Sequence, residues 1–243
     1  MPRVTIVIPV YNEEAFLEET LKSLRAQTFK DYELIVVDNG STDRSLEIAR
    51  KWADVVLEEH VRGWAAAVHR GISAAKGEFL ASADADTFYP RDWLNRLVRA
   101  LNRSGCVAVY GPLAFRESSR IARGAQAFGY TLLCGLSRMF GVRLAAGANL
   151  GMRREAYFAV GGYPVVAGLA SPDLRLVQRL ARLGKVRFVP SMVCYTSNRR
   201  FKQLGYVRGS LEMIHFWLDV AMQRNRLTLE EYHRRTPRKT RPE

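Results

Sequence analysis

The stretch from Val4 to Asp43, VTIVIPVYNEEAFLEETLKSLRAQTFKDYELIVVDNGSTD, decides the fold. Val4-Thr-Ile-Val-Ile-Pro-Val10 reads as a short strand, and Glu13 to Ala26 places Phe16, Leu17, Thr20, Leu21 and Leu24 at helical spacing. Leu34-Ile-Val-Val37 is a second strand, and Ser41-Thr42-Asp43 offers an N-cap for a helix running through Lys51. The alternation repeats with Val55-Val-Leu57, Ala65 to Lys76 and Phe79-Leu-Ala81. Strands that are apolar throughout, separated by helices, predict an α/β fold with a mostly parallel sheet covered on both faces.

In such sheets ligands bind beyond the carboxyl ends of the strands, and here those ends are acidic. Glu13 and Glu14 follow the first strand, Asp38 closes the second with Asp43 nearby, and Asp84 and Asp86 follow Phe79-Leu-Ala81. In an extended segment Asp84 and Asp86 point to one side, and their hard oxygens suit Mg²⁺ or Mn²⁺ whose remaining positions substrate phosphates fill. An Asp-x-Asp alone equally fits a solvated turn before the helix near Pro90.

Beyond Tyr110 the pattern changes. Ile121 to Phe140 is helical, with Ile121, Ala125, Phe128, Leu132, Leu136 and Met139 on one face. Its uncharged run, Gly124 to Ser137, is 14 residues, short of the roughly 20 that span a bilayer. Leu204 to Met222 is similarly amphipathic, and a basic run from His233 to Arg241 follows. Residues 173–243 hold 16 Lys or Arg against 6 Asp or Glu, whereas residues 1–172 hold 21 against 18. The net charge of +13 therefore belongs to the C-terminal third, which suits an anionic membrane surface, a phosphorylated substrate or nucleic acid. Apolar residues at 48% and charged residues at 25% fit a globular chain rather than a disordered one. Cys106, Cys134 and Cys194 form no CxxC pair, which points away from disulfide and zinc frameworks. The opening apolar run is too short and wrongly flanked for a signal peptide, so a cytoplasmic protein is expected.

Four segments occur in order: Ile-Val-Ile-Pro-Val-Tyr-Asn-Glu-Glu (6–14), Ile-Val-Val-Asp-Asn-Gly-Ser-Thr-Asp (35–43), Gly-Trp-Ala-Ala-Ala-Val-His-Arg-Gly-Ile (63–72) and Lys-Gly-Glu-Phe-Leu-Ala-Ser-Ala-Asp-Ala-Asp (76–86). Gly147 to Arg154, Val160-Gly-Gly-Tyr and Asp173-Leu-Arg-Leu-Val-Gln-Arg-Leu extend the pattern. Together they resemble the family 2 glycosyltransferases of the GT-A fold, including dolichyl-phosphate mannose synthase-like and cellulose-synthase-like catalytic domains. The resemblance implies a metal-dependent, inverting transferase that moves a hexose from a GDP- or UDP-sugar. It implies that Pro9, Val10, Tyr11, Glu13, Asp38, Gly63, Asp84 and Ala85 hold the nucleotide sugar, that Asp86 binds Mn²⁺ or Mg²⁺, and that Asp173 is the base. Asn149, Arg199 and Arg200 fall to the diphosphate and acceptor, the arginines lying in Thr196-Ser-Asn-Arg-Arg-Phe201 where relatives carry Gln-x-x-Arg-Trp or a basic cluster. A paired arginine clamps diphosphate bidentately.

Two positions depart from that pattern. Val68-His69 stands where Arg-Asn is usual, and Pro172 replaces the Glu that usually precedes the base. A catalytically impaired nucleotide-sugar-binding homologue therefore stands as an alternative, and a basic nucleic-acid-binding module as another. The acidic strand ends oppose a nucleic-acid partner, and G-x-G-x-x-G is absent. The expected division is a catalytic domain over 1–200, with a nucleotide-sugar half (1–110) and an acceptor half (111–200). An amphipathic helical region (201–232) and a disordered basic tail (233–243) follow. The amphipathic stretches and tail suggest peripheral contact with the inner membrane face, where a lipid-linked or polyprenyl-phosphate acceptor lies.

Overall fold

The computed structural model describes residues 1–163 and 172–205, with 208, 211 and 218 as isolated further positions. Much of Leu204–Met222 and all of the 233–243 tail lie outside the described residues.

Strands β1 (Val4–Val10), β2 (Tyr32–Asp38), β3 (Val55–Glu58), β4 (Phe79–Ser82), β6 (Cys106–Tyr110), β8 (Leu150–Arg153) and β9 (Lys185–Phe188) form one sheet in the order β3-β2-β1-β4-β8-β6-β9. Its pairings are parallel except at β8, which runs antiparallel to both β4 and β6. Successive side chains of β1 explain why the strands read as continuously apolar. Ile6 and Ile8 enter a core shared with helices α1 (Leu17–Arg25) and α4 (Trp93–Leu101), whereas Val7 enters a second core on the other face, with α3 (Trp64–Ala74) and α7 (Pro172–Leu180). Gly71 explains how closely α3 packs on the sheet: a Cβ there would lie 2.4 Å from a Val7 methyl.

A second sheet, β5 (Thr87–Phe88), β10 (Cys194–Thr196) and β7 (Leu113–Phe115) in the order β5-β10-β7, stands at the strand ends. It ties the residues directly after Asp86 to the segment that leads into α8 (Arg199–Leu204).

Two local expectations are corrected. The first helix begins at Leu17 rather than Glu13, because Glu13–Phe16 form a turn in which the N–H groups of Phe16 and Leu17 both donate to the Glu13 carbonyl. The cap position of α2 (Ser45–Trp52) is Arg44, which makes no side-chain cap bond. Asp43 instead takes the Ser45 N–H at 3.0 Å and the Glu14 N–H at 3.1 Å, tying the two loops together. Finally, α5 (Arg120–Met139) forms as expected, capped by the Ser119 hydroxyl, yet its apolar face is turned outward. Ile121 is 88% exposed, Phe128 73% and Met139 80%, while Cys134 and Ser137 are its buried residues. Among the described residues no helix is long and apolar enough to cross a membrane. The remaining elements are α6 (Arg154–Ala159) and a 3-10 turn, Gly147–Asn149.

Candidate active site

Strands β1 and β2 end in register, Val10 beside Asp38, and β4 ends at Ser82 beside Val7, so the segments that leave them lie at one end of the sheet. Asp38 is buried, and its carboxylate accepts the N–H groups of Gly40 and Ser41 at 3.2 and 3.1 Å. Its neighbour Asn39 receives the Gly63 N–H at 2.8 Å and donates to the carbonyls of Glu59 and Val61. Gly63 sits at φ +135°, backbone that glycine adopts readily, just before α3. Across this loop the Arg62 guanidinium covers the Tyr11 ring, 4.6 Å from its centroid. Pro9 is half-buried, and Val10 is buried with its carbonyl accepting the Asn39 N–H.

The Asp84–Asp86 turn is pinned from three sides. The Tyr89 hydroxyl accepts the Asp84 N–H at 2.9 Å and donates to the Ala148 carbonyl at 2.8 Å. Thr20 donates its hydroxyl to the carbonyl of buried Ala85 at 2.8 Å. Asp84 Oδ1 is closed to solvent and forms no well-aligned hydrogen bond. Burial pushes the Asp84 carboxyl up to about 8, and the charges of Asp86 and Asp173 push the same way.

Asp173 is the second residue of α7 and reaches back across the recess. Its Oδ2 accepts the Gly147 N–H at 2.9 Å, while Oδ1 is buried without a well-aligned hydrogen bond. Burial lifts this carboxyl to about 6, against the pull of the Gly147 N–H and the nearby Tyr163 hydroxyl. Gly147 is required here, since a Cβ would lie 2.5 Å from the Trp64 ring and 3.1 Å from Asp173 Oδ1. Trp64 in turn stacks edge-on against Tyr163 at 5.1 Å. Residues 164–171, which precede α7, lie outside the described residues.

A cation closes the rim. Arg199, first residue of α8, forks onto Glu13, with Nη1 2.6 Å from Oε2 and Nη2 on Oε1, and its Nε lies 3.1 Å from Asp86 Oδ2. Burial raises the Asp86 carboxyl, with Arg199 and Arg116 opposing that shift. Glu117 holds the approach to α8, accepting the Ser197 hydroxyl and the Asn198 N–H at 3.1 Å each.

Glu13, Asp84, Asp86, Asp173 and Arg199 are therefore gathered at one place, with Tyr11, Asp38 and Gly63 along the same rim. Asn149 is not open to it. Fully buried, it donates to the carbonyls of Pro112 and Met192 at 3.0 and 2.6 Å and accepts the Trp93 indole N–H at 2.8 Å. The diphosphate or acceptor role expected of Asn149 thus gives way to a structural one. Arg200 lies in α8, and its side chain is outside the described residues. Tyr89, Asn39, Trp64, Tyr163 and Glu117 carry no sequence signal of their own, since contacts such as Tyr89 with Ala148 and Glu117 with Asn198 join residues tens of positions apart.

A family model for glycosyl transferase family 2 matches residues 5–160, well over half of the chain. The chain belongs to glycosyl transferase family 2. Glycosyltransferase AglE of Haloferax volcanii is 30% identical over 172 residues, covering 68% of this family 2 chain and 57% of AglE. The putative glycosyltransferase EpsH of Bacillus subtilis is 36% identical over 103 residues, 40% of this chain and 30% of EpsH. Among solved structures, the mannosyltransferase PcManGT of Pyrobaculum calidifontis in complex with GDP-Man and Mn²⁺ superposes with a TM-score of 0.68 at 25% identity, covering 88% of this chain and 64% of that one. Glucosyl-3-phosphoglycerate synthase of Mycobacterium tuberculosis, in complex with Mn²⁺, UDP-Glc and phosphoglyceric acid, shares the fold, with a TM-score of 0.61 at 20% identity. The chain thus has the GT-A fold and spans less than two thirds of the lengths of AglE, EpsH and PcManGT.

Both departures from the family 2 pattern have a structural place. His69 Nδ1 meets the Tyr157 hydroxyl at 2.9 Å, and that same hydroxyl accepts the Tyr163 N–H at 3.0 Å. Pro172 is the first residue of α7, the helical position that tolerates a missing N–H. Asp173 takes its bond from Gly147 rather than from a preceding acid.

Proposed function

We propose that this family 2 chain is an inverting hexosyltransferase that uses a GDP- or UDP-sugar, with Asp173 as the base. The observation that carries the reading is the pair of buried carboxylates Asp173 and Asp84 near the strand ends, whose Oδ1 oxygens form no well-aligned hydrogen bond although Tyr163 and Trp64 lie beside them. Such unsatisfied acceptors are costly in a folded protein unless a ligand uses them. The names of structural neighbours give GDP-Man for one and UDP-GlcNAc for another, so both bases stay within the proposal.

The donor's base and ribose would lie along Pro9, Val10, Tyr11, Glu13, Asp38 and Gly63, and its diphosphate near Asp84, Ala85 and Asp86. Among the described residues no group of three or more His, Cys, Asp or Glu could hold a metal unaided. A carboxylate or two, completed by phosphate oxygens, suits Mn²⁺ or Mg²⁺. Asp86 would hold that ion, with Asp84 beside it, and the ion would neutralise the leaving diphosphate. Asp173 would accept the proton of an acceptor hydroxyl as the new bond forms at the anomeric carbon and the bond to the diphosphate oxygen breaks on the opposite face. A carboxyl held near 6 is largely ionised at neutral pH, which a base requires. Pro172 does not argue for an impaired homologue, because Gly147 orients the Asp173 carboxylate.

We place the acceptor, a lipid-linked sugar or a polyprenyl phosphate, at the anionic inner face of a membrane. The outward apolar face of α5 supports this: from 120 to 143 the charged residues are Arg120, Arg123, Arg138 and Arg143, with no acid among them.

The donor test is thermal stabilisation by a panel of nucleotide sugars with Mn²⁺. Saturation at about 100 times Kd should raise Tm by roughly 5–10 °C. Asp86→Ala should lose that response, and a parent-like response in this variant sinks the donor assignment.

A further inference from the structure

Arg199 and Glu13 are 186 residues apart and form a bidentate pair, while the same guanidinium reaches Asp86 through Nε. One cation thus bridges two carboxylates whose side chains are only 14% and 13% exposed, while Arg199 itself is 39% exposed on its outer side. The Phe16 ring lies 5.3 Å from the guanidinium carbon, and Glu117 fixes the turn that starts α8, so the backbone of Arg199 is anchored while its side chain has an outlet.

A divalent ion bound at Asp86 Oδ2 would contend with the Arg199 guanidinium for that oxygen. A divalent ion at a carboxylate lies roughly 2.0–2.2 Å from the oxygen, which would set it against the Arg199 Nε–H at a separation where like charges repel strongly. The guanidinium must therefore leave Asp86 when an ion arrives. Its planar fork fits phosphate oxygens as well as it fits a carboxylate. Glu13 limits how far it travels.

We propose that Arg199 is an exchangeable counter-ion of the acidic rim: it neutralises Asp86 and Glu13 until a divalent cation takes Asp86, and its guanidinium then turns to the donor's diphosphate. The second half rests on the donor reading given above. The exchange makes metal and nucleotide bind cooperatively, because a metal arriving alone breaks an ion pair that the diphosphate would otherwise replace.

The test titrates Mn²⁺ alone against the full chain, following the EPR signal of free Mn²⁺, and repeats the titration with GDP and with UDP. Arg199→Gln should bind Mn²⁺ alone at least about fivefold more tightly than the parent, while binding the nucleotide less tightly in the presence of Mn²⁺. A merely structural role would lower both affinities. Unchanged or weaker binding of Mn²⁺ alone by Arg199→Gln overturns the proposal. Arg199→Lys keeps the charge but loses the fork; it should shift Mn²⁺ affinity in the same direction by less, and it carries the test if the Gln variant does not fold. If neither nucleotide binds the parent, the donor reading and the second half of the exchange fall together, while the Mn²⁺ comparison still decides whether Arg199 competes for Asp86.

Discussion

The two sides of the recess are built differently. On one side, Asp38 and Asp84 stand at the ends of β2 and β4, the parallel strands that flank β1, and are fixed by short-range or backbone bonds, as Asp38 is by Gly40 and Ser41. On the other side, Asp173 and Arg199 arrive on helices that start outside the large sheet and are held by long-range ties, Asp173 to Gly147 and Arg199 to Glu13 and Asp86. The strand side is tied by local bonds, and the helical side brings its groups in from distant parts of the chain. This contrast suits a transferase, since the donor must be held while acid–base and charge-neutralising groups engage an incoming acceptor.

The largest break in that contrast is expected from Asp173→Asn. The amide keeps the shape and its oxygen can still receive the Gly147 N–H, but it cannot take a proton. Transfer to a hydroxyl acceptor should fall by about 10²–10⁴-fold, with nucleotide-sugar stabilisation unchanged. Retained transfer to a hydroxyl would refute the base role. Retained transfer to a polyprenyl phosphate alone would identify the acceptor, because a phosphate already carries its negative charge and asks little of a base.

A pH profile sharpens the same point with no substitution. Asp173 is lifted from 3.8 to about 6 by burial, and a base in the proposed role must be ionised. Activity should therefore be full above that value and fall as pH drops through it, giving kcat/KM an acid limb near 6. A limb near 4 would mean that the carboxylate is solvated when it acts.

The next largest effect separates structure from site. Asn149→Ala removes three buried hydrogen bonds and strands the Trp93 indole N–H and two carbonyls. A loss of about 3 kcal/mol should lower Tm by roughly 6–12 °C, with the donor KM of the folded fraction unchanged. A raised KM at unchanged Tm would return Asn149 to the diphosphate.

These cases show what the sequence could carry. The parallel strands are legible because both faces of β1 and β2 are buried, so Leu34–Val37 and, Thr5 apart, Val4–Val10 are apolar on both faces of the pleat. The acidic strand ends followed from where such sheets bind ligands. Asn149 was misjudged because a motif position says nothing about burial, and three long-range partners spend its amide. The reversed direction of β8 was equally invisible, since four residues, Leu150–Arg153, carry no sign of their orientation. Tyr89, which joins Asp84 to Ala148 by one hydroxyl, depends on a fold that must exist before the contact does.

Periodicity also left α5 half-read. A 3.6-residue repeat shows that Ile121, Phe128, Leu132 and Leu136 share a face, but not whether that face meets protein or solvent. They face outward here, with Phe128 73% exposed. Phe128→Glu should consequently change stability by no more than about 0.5 kcal/mol, the smallest effect of the series. The same substitution puts a negative charge on a helix whose other charges are arginines, so binding to anionic vesicles at moderate salt should fall sharply while donor binding stays as in the parent. If α5 instead packs against a second copy, the variant should change sedimentation of the protein alone and leave vesicle binding untouched. A marked loss of stability would mean that the face is covered within the chain, and the difference between the strand-built and helix-built sides would then be smaller than their exposure suggests.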